Sequence, residues 1–307
     1  MGLGIIQKTK GVWINTSYST LLYLLLVVIL GGLISSYLLG AIICKLVYGI
    51  SFFSSSHQVF DPSNLELMNA MKTMQLFNAI GNFVLPPLVF LHFRGLSFVN
   101  YLKLENPLSG LTIAKVFVLA LAMIPLANYL GSLNEIIPFP EFLNFLKVAE
   151  EQTLLLTQQF LIMDSIWDLG IMIFIIGVVA ALGEELLFRG ILQNLFQDWS
   201  QSKHLAVWFT ALLFSVIHMQ YHAVLPRFFL GAFIGYVYVY SGSLRSAIYL
   251  HFFYNTSLVV LSYLIQHEFV AQSWEFIGNT SISVIIAVTL LFSLSYKWFS
   301  NRTEYLN

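Results

Sequence analysis

Charge is what this sequence lacks most. Asp, Glu, Lys and Arg make up 9% of its 307 residues, against about 25% in an ordinary soluble domain. A water-facing surface needs charge whatever the size of the core beneath it. The deficit therefore excludes such a surface over most of the chain, whereas a bilayer removes the need for one. The net charge of −1 leaves no excess of basic residues, and with it no face for a nucleic-acid partner. Cysteine is nearly absent too: Cys44 stands alone, which rules out an intramolecular disulfide. Set in an apolar run, Cys44 reads as a small core residue. There is no low-complexity tract, no repeat and no soluble domain, so 1–307 reads as one integral membrane domain. Lys8 and Lys10 precede an apolar stretch over 20–46 that is too long for a signal-peptide core and long enough to span and stay. The terminal Tyr305-Leu306-Asn307 holds no prenylation box.

What is abundant is apolar. Hydrophobic residues make up 58% of the chain, and the mean hydropathy is +0.80. A helix needs about 20 apolar residues to cross a bilayer. Eight stretches meet or approach that length: 19–48, 73–93, 111–131, 165–187, 205–221, 227–241, 244–266 and 281–299. Helix is required there, because open strand edges cannot be satisfied in lipid. The expectation is an all-α polytopic transmembrane bundle of about eight spans, with Pro226 turning the chain between the short fifth and sixth. With both termini inside, the inner side receives Lys8, Lys10, Arg94, Lys103, Lys115, Arg189, Lys203, Arg245, Lys297 and Arg302. The outer side receives Lys45, Lys72, Lys147 and Arg227. This bias predicts cytoplasmic termini. Of two substantial outer loops, 49–72 reads as a connector. The other, 136–164, carries Glu141, Glu150, Glu151 and Asp164 as a solvated acidic face, yet spaces Phe142, Phe145, Leu146 and Val148 as an amphipathic surface helix would.

Ionisable residues inside spans cost roughly 2.5–3.5 kcal/mol each on insertion scales, and here they are grouped. Ala181-Leu-Gly-Glu184-Glu185-Leu-Leu-Phe-Arg189-Gly190, Phe214-Ser-Val-Ile-His218 and His251-Phe-Phe-Tyr-Asn255 lie on three different spans. Glu185 and Arg189 share a helix face at i and i+4 and can pair, which leaves Glu184, about 100° round the helix, free to work. Ending the fourth helix near Gln193 and starting the fifth and seventh near Leu205 and Arg245 gives depths that can be compared at 1.5 Å per residue. Glu184 then lies roughly 15 Å from the inner end, His218 roughly 20 Å, His251 roughly 9 Å and Asn255 roughly 15 Å. Neighbouring helices could bring such a band together.

Glu-Glu-x-x-x-Arg, Phe-x-x-x-His and His-x-x-x-Asn in this order on successive spans resemble the CAAX-processing and bacteriocin-processing (CPBP) family of intramembrane proteases, which includes the Ras-converting endoprotease. Gly231-Ala-Phe-Ile-Gly235 and Ser241-Gly242-Ser243-Leu244 resemble that family's glycine-rich connecting segment. The likeness runs over roughly 170–262, inside a core placed at 165–266; the first three spans and the eighth carry no family mark. The resemblance implies an endopeptidase cutting a membrane-associated peptide or protein, with Glu184, Glu185, Arg189, His218, His251 and Asn255 as its working residues. The same chemistry follows from the residue types. Peptide hydrolysis needs an activated water and donors for the oxyanion. Glu184 is the candidate base, and His218 can share the water or ligate a metal. His251 and Asn255 on one face can donate to the oxyanion, while Glu185 with Arg189 orients the helix.

The resemblance also implies zinc, for which Glu184, His218 and His251 could make a three-ligand open site. The family is equally described as using its glutamate directly, and spacing does not choose between the two. Other readings of these residues stay open. The carboxylates could be solvated interface groups, and the histidines with Asn255 could be interhelical glue. Gly231 and Gly235 suit close packing, His222 an interface, and His57, His92, His204 and His267 loop edges; Asp168 should reach water. At the level of function, a non-proteolytic immunity or interaction protein of the same family and a proton-coupled transporter are the alternatives. The compact chain suits a bacterial inner membrane with lipid around it. Its substrate and oligomeric state stay open.

Overall fold

The computed structural model describes residues 11–53, 64–105, 107–278 and 281–300. Lys8, Lys10, His57, Arg302 and the terminal Tyr305-Leu306-Asn307 lie outside these. Among the described residues there is no strand, and nine helices organise the chain. They are α1 (Tyr18–Tyr48), α2 (Leu65–Arg94), α3 (Gly110–Ile136), α4 (Asn144–Phe160), α5 (Ile166–Ser200), α6 (Lys203–Val216), α7 (Val224–Ser241), α8 (Leu244–Gln266) and α9 (Ser281–Ser300). The bundle is all-α and polytopic, and the chain is an integral membrane protein. Six helices are long and apolar enough to cross a membrane; the expected spans at 205–221 and 281–299 fall on two shorter apolar helices.

Local chemistry sets the ends. Ser17, Asn64, Ser109, Ser165 and Ser202 each accept from a backbone N–H in the first turn of the helix that follows, which satisfies one of the four donors a helix start leaves open. Asp168 closes a capping box with Ser165, taking bonds from the serine's N (3.0 Å) and Oγ (2.6 Å), so its role is to start α5. Gly49, Gly95 and Gly242 end α1, α2 and α7 in the left-handed conformation that glycine adopts without penalty.

Several boundaries differ from expectation. α2 begins at Leu65, so the connector expected over 49–72 is shorter. α5 runs on past Gln193 to Ser200, which moves the inner end from which the depth of Glu184 was reckoned. α6 stops at Val216, and Pro226 sits in the first turn of α7, where a missing N–H costs nothing. The turn between them is made instead by 217–220, with Met219 at φ 52°. The amphipathic helix expected in the 136–164 loop exists as α4, but Glu150 on it is 4% exposed rather than part of a solvated face.

Packing places α5 centrally. Leu186, Leu187, Phe188 and Ile191 of α5 share one buried cluster with Phe214 of α6, Leu230, Ile234 and Val237 of α7 and Leu250 of α8. Close approaches depend on small residues, as membrane helix interfaces do. A Cβ on Gly231 would stand 3.3 Å from Ala211 Cα, and one on Gly177 2.5 Å from Thr256 Oγ1. These contacts seat α7 on α6 and α8 on α5. On the outside of the bundle α1 leaves Leu26, Leu30 and Leu39 about half exposed, as a lipid-facing stripe would be. Cys44 is fully buried with Sγ 3.3 Å from the Ala70 carbonyl, a core residue as expected.

Candidate active site

The centre of α5 is not regular. Ile173–Ala180 and Leu186–Gln193 are π-helical, and between them lies one α-helical stretch, Ala181–Glu185. Such segments are uncommon and are often found at functional sites. Here they flank the two adjacent carboxylates.

Glu185 and Arg189 are both fully buried, with Arg189 Nη1 donating to Glu185 Oε1 at 2.7 Å. Arg189 Nη2 donates onward to the Gly231 carbonyl of α7 at 2.8 Å. One turn later Gln193 Nε2 donates to the Gly235 carbonyl at 3.3 Å. The Gly-x-x-x-Gly of α7 therefore serves α5 as well as α6: its bare backbone admits Arg189 and Gln193 to two carbonyls. The guanidinium also lies over the Phe214 ring, 4.9 Å from its centroid, in the geometry of a cation–π contact. Glu185 Oε1 accepts a second bond, from His251 Nδ1 of α8 at 2.8 Å. Such partners offset the cost of burying an ion pair, although Glu185 Oε2 and Arg189 Nε are buried without a partner among the described residues. The solvated-interface reading of Glu185 does not describe this environment.

His251 joins the two carboxylates. With Nδ1–H committed to Glu185, its Nε2 faces Glu184 Oε2 at 3.7 Å, ion-pair distance but longer than a hydrogen bond. The Glu184 side chain keeps 13% of its exposure, while that of Glu185 has none. Adjacent residues thus have separate surroundings, as the 100° rotation between neighbours on a helix implies.

His218 is not on a helical face. It sits just past the end of α6, and its Nδ1 lies 2.7 Å from the Phe214 carbonyl. A carbonyl only accepts, so Nδ1 carries the proton and Nε2 is the nitrogen left for chemistry. The Phe214 ring packs edge-on against both His218 (centroids 5.1 Å) and His251 (6.0 Å). The Phe-x-x-x-His spacing accordingly has two uses: the backbone of Phe214 selects the tautomer of His218, and its ring fills the space between two imidazoles. Asn255, one turn beyond His251, donates from Nδ2 to the Ile176 carbonyl at 3.0 Å, in the first π-helical segment of α5. One of its two amide N–H groups is therefore spent on holding α8 to α5.

Glu184, Glu185, Arg189 and His251 are thus joined directly, His218 through Phe214, and Asn255 to the backbone of α5. Two residues here were not singled out from the sequence. Arg227, counted there only as an outer-side charge, interacts electrostatically with Glu184, His218 and Glu150, and its Nη1 is buried without a partner among the described residues. Its position in the first turn of a helix, nine residues after His218, was the available signal. Glu150 accepts from the backbone N–H of Tyr221 (3.2 Å) and of His222 (3.0 Å) and lies 3.3 Å from His222 Nδ1. No local pattern announces that. The remaining histidines of the described loops have local partners: His204 with the Tyr236 hydroxyl (2.9 Å) and His267 with the Met163 carbonyl (2.9 Å).

Among the described residues no three His, Cys, Asp or Glu side chains come close enough together to hold a metal ion. Glu184, His218 and His251 do not form such a group of three, although an imidazole held by a carboxylate at Nδ1, as His251 is by Glu185, is the usual form of a metal-ligating histidine.

Residues 166–257 match the family model described as type II CAAX prenyl endopeptidase, Rce1-like, under a third of the chain. Over that segment the chain is similar to type II CAAX prenyl endopeptidases. Neither a curated protein nor a solved structure matches the chain.

Proposed function

We propose, on the premise that residues 166–257 are similar to type II CAAX prenyl endopeptidases, that this protein is an intramembrane endopeptidase in which Glu184 activates the attacking water. The observation that carries the proposal is the division between neighbouring carboxylates. Glu185 is bound to Arg189 and His251, whereas Glu184 has only a 3.7 Å approach to His251 and is left to take up a proton.

In this reading water lies between Glu184 and Nε2 of His218. Glu184 accepts a proton from it as the water oxygen bonds to the scissile carbonyl carbon. The carbonyl electrons move onto oxygen, where the second amide N–H of Asn255 and the ring of His251, when it carries a proton on each nitrogen, act as donors. When the oxyanion collapses the C–N bond breaks, and Glu184 returns its proton to the leaving amine, so acid and base are one group. Glu185 and Arg189 do not touch the reacting atoms; they hold the His251 ring in one orientation and fix α5 to α7. Arg227 adds positive charge near the developing anion. No step is routed through a metal, because Glu184, His218 and His251 do not form a three-ligand cluster among the described residues.

The test is cleavage of a quenched-fluorescent peptide library by purified protein in detergent, with metal content measured on the same sample. Cleavage lost in Glu184→Gln supports the assignment. Wild type and Glu184→Gln cleaving alike would show that the base is misassigned, and activity that tracks bound zinc would show that the metal-free scheme is wrong. The membrane is taken to be a bacterial inner membrane with cytoplasmic termini, which protease protection of tagged ends in intact vesicles checks.

A further inference from the structure

His218 stands on a turn that is not stable by itself. Met219, the next residue, has φ 52°, a conformation that costs a side-chain-bearing residue energy and persists only where its surroundings over-determine it. Those surroundings come from three helices. From α3, buried Asn134 donates to the Tyr221 carbonyl (3.0 Å) and accepts from Leu225 N (2.8 Å). From α6, Ser215 Oγ donates to the Val224 carbonyl (2.6 Å). From α4, Glu150 takes the two backbone N–H groups of Tyr221 and His222.

The grip from α4 is the one in which a single side chain takes two consecutive backbone N–H groups. Glu150 is 4% exposed, so losing these donors would leave a buried carboxyl group short of partners. The helix that carries it is otherwise a surface element: Phe142 before it and Val148, Leu154 and Leu155 on it are exposed by half or more.

We propose that Glu150, with Asn134, is a positioning residue for His218, so that the amphipathic helix α4 forms part of the catalytic apparatus rather than a cover over it. The proposal rests on the proteolytic reading above. If α4 lets go, the 217–223 turn relaxes and Nε2 of His218 leaves the place where it can share the water. A displacement of 1 Å in a catalytic group can cost about 10²-fold in rate.

The experiment compares the full-length wild type with Glu150→Ala, Glu150→Gln, His218→Ala and the double variant Glu150→Ala/His218→Ala. The library cleavage assay supplies kcat and KM, and hydrogen exchange of the 217–223 segment and the His218 imidazole ¹⁵N resonance are followed alongside. Expected are a kcat lower by roughly 10- to 100-fold in Glu150→Ala with KM changed less than about twofold, and partial recovery in Glu150→Gln, whose amide oxygen still accepts. No further loss should appear when Glu150→Ala is added to His218→Ala, as a shared route requires. Equal losses in both backgrounds would overturn the proposal, and so would unchanged exchange at 221 and 222 with an unmoved His218 resonance. Should Glu150→Ala fail to fold, the Glu150→Gln comparison decides by the same criteria. If the wild type cleaves nothing the proteolytic reading fails, while the exchange and resonance measurements still decide whether Glu150 holds His218.

Discussion

Glu184 and Glu185 are neighbours in the chain and opposites in surroundings. Glu185 lies in a closed knot: Arg189 one turn on, His251 from α8, and through Arg189 the backbone of α7. Glu184 faces the open side, toward His251 Nε2 and the electrostatic reach of Arg227. The difference teaches that one charge in a membrane bundle can be made purely structural, which frees its neighbour for chemistry. Glu185 is fully buried between Arg189 and His251, whereas the Glu184 side chain keeps 13% of its exposure, and on the reading proposed above that difference gives them separate duties.

Substitutions can break or sharpen this contrast. The largest expected effect is on the open side: Glu184→Gln should lower kcat by about 10³-fold or more, in the upper part of the roughly 10²–10⁴-fold range of an acid–base step because it would serve both proton transfers, with the melting midpoint in detergent nearly unchanged. The closed side should behave in reverse. Arg189→Met leaves Glu185 buried and uncompensated, a loss of about 3–5 kcal/mol, read as a fall in melting midpoint with activity lost only through unfolding. If Glu184→Gln unfolds the protein, or Arg189→Met stays stable, the contrast is wrong. A smaller effect is expected at Gly177, where a methyl would meet Thr256 Oγ1 at 2.5 Å: Gly177→Ala should cost about 1–3 kcal/mol by overpacking and pull Asn255 away from Ile176. The smallest effect on stability is that of Asn255→Ala, which removes one interhelical bond worth about 0.6 kcal/mol. A fall in kcat much larger than that loss of stability would place Asn255 at the oxyanion.

The positions where sequence and structure part company follow one rule. The pairing of Glu185 with Arg189 could be read directly, since residues four apart on a helix meet whatever surrounds them. So could the apolar stretches and the serine and glycine stops of the helices. His218 was placed on a helix that in fact ends at Val216, because an apolar run does not reveal that the next turn is held open by partners elsewhere. Glu150 was read as one of several solvated acids in a loop; its bonds reach across 71 and 72 residues, a separation over which no spacing carries information. Arg227 was counted as a charge for orientation when it lies within electrostatic reach of Glu184.

By itself, then, the sequence determined that this chain is a bundle of apolar helices and that three of them carry polar groups at intervals of one turn. Hydrophobic length and helical periodicity are local properties, and both are written in consecutive residues. Only the tertiary structure decided which carboxylate is fully buried and which keeps some exposure, which nitrogen of His218 is free, and that a surface helix grips the turn of His218. Those depend on which atoms meet across helices, and in lipid that is settled by close packing and by the need of every buried donor and acceptor for a partner.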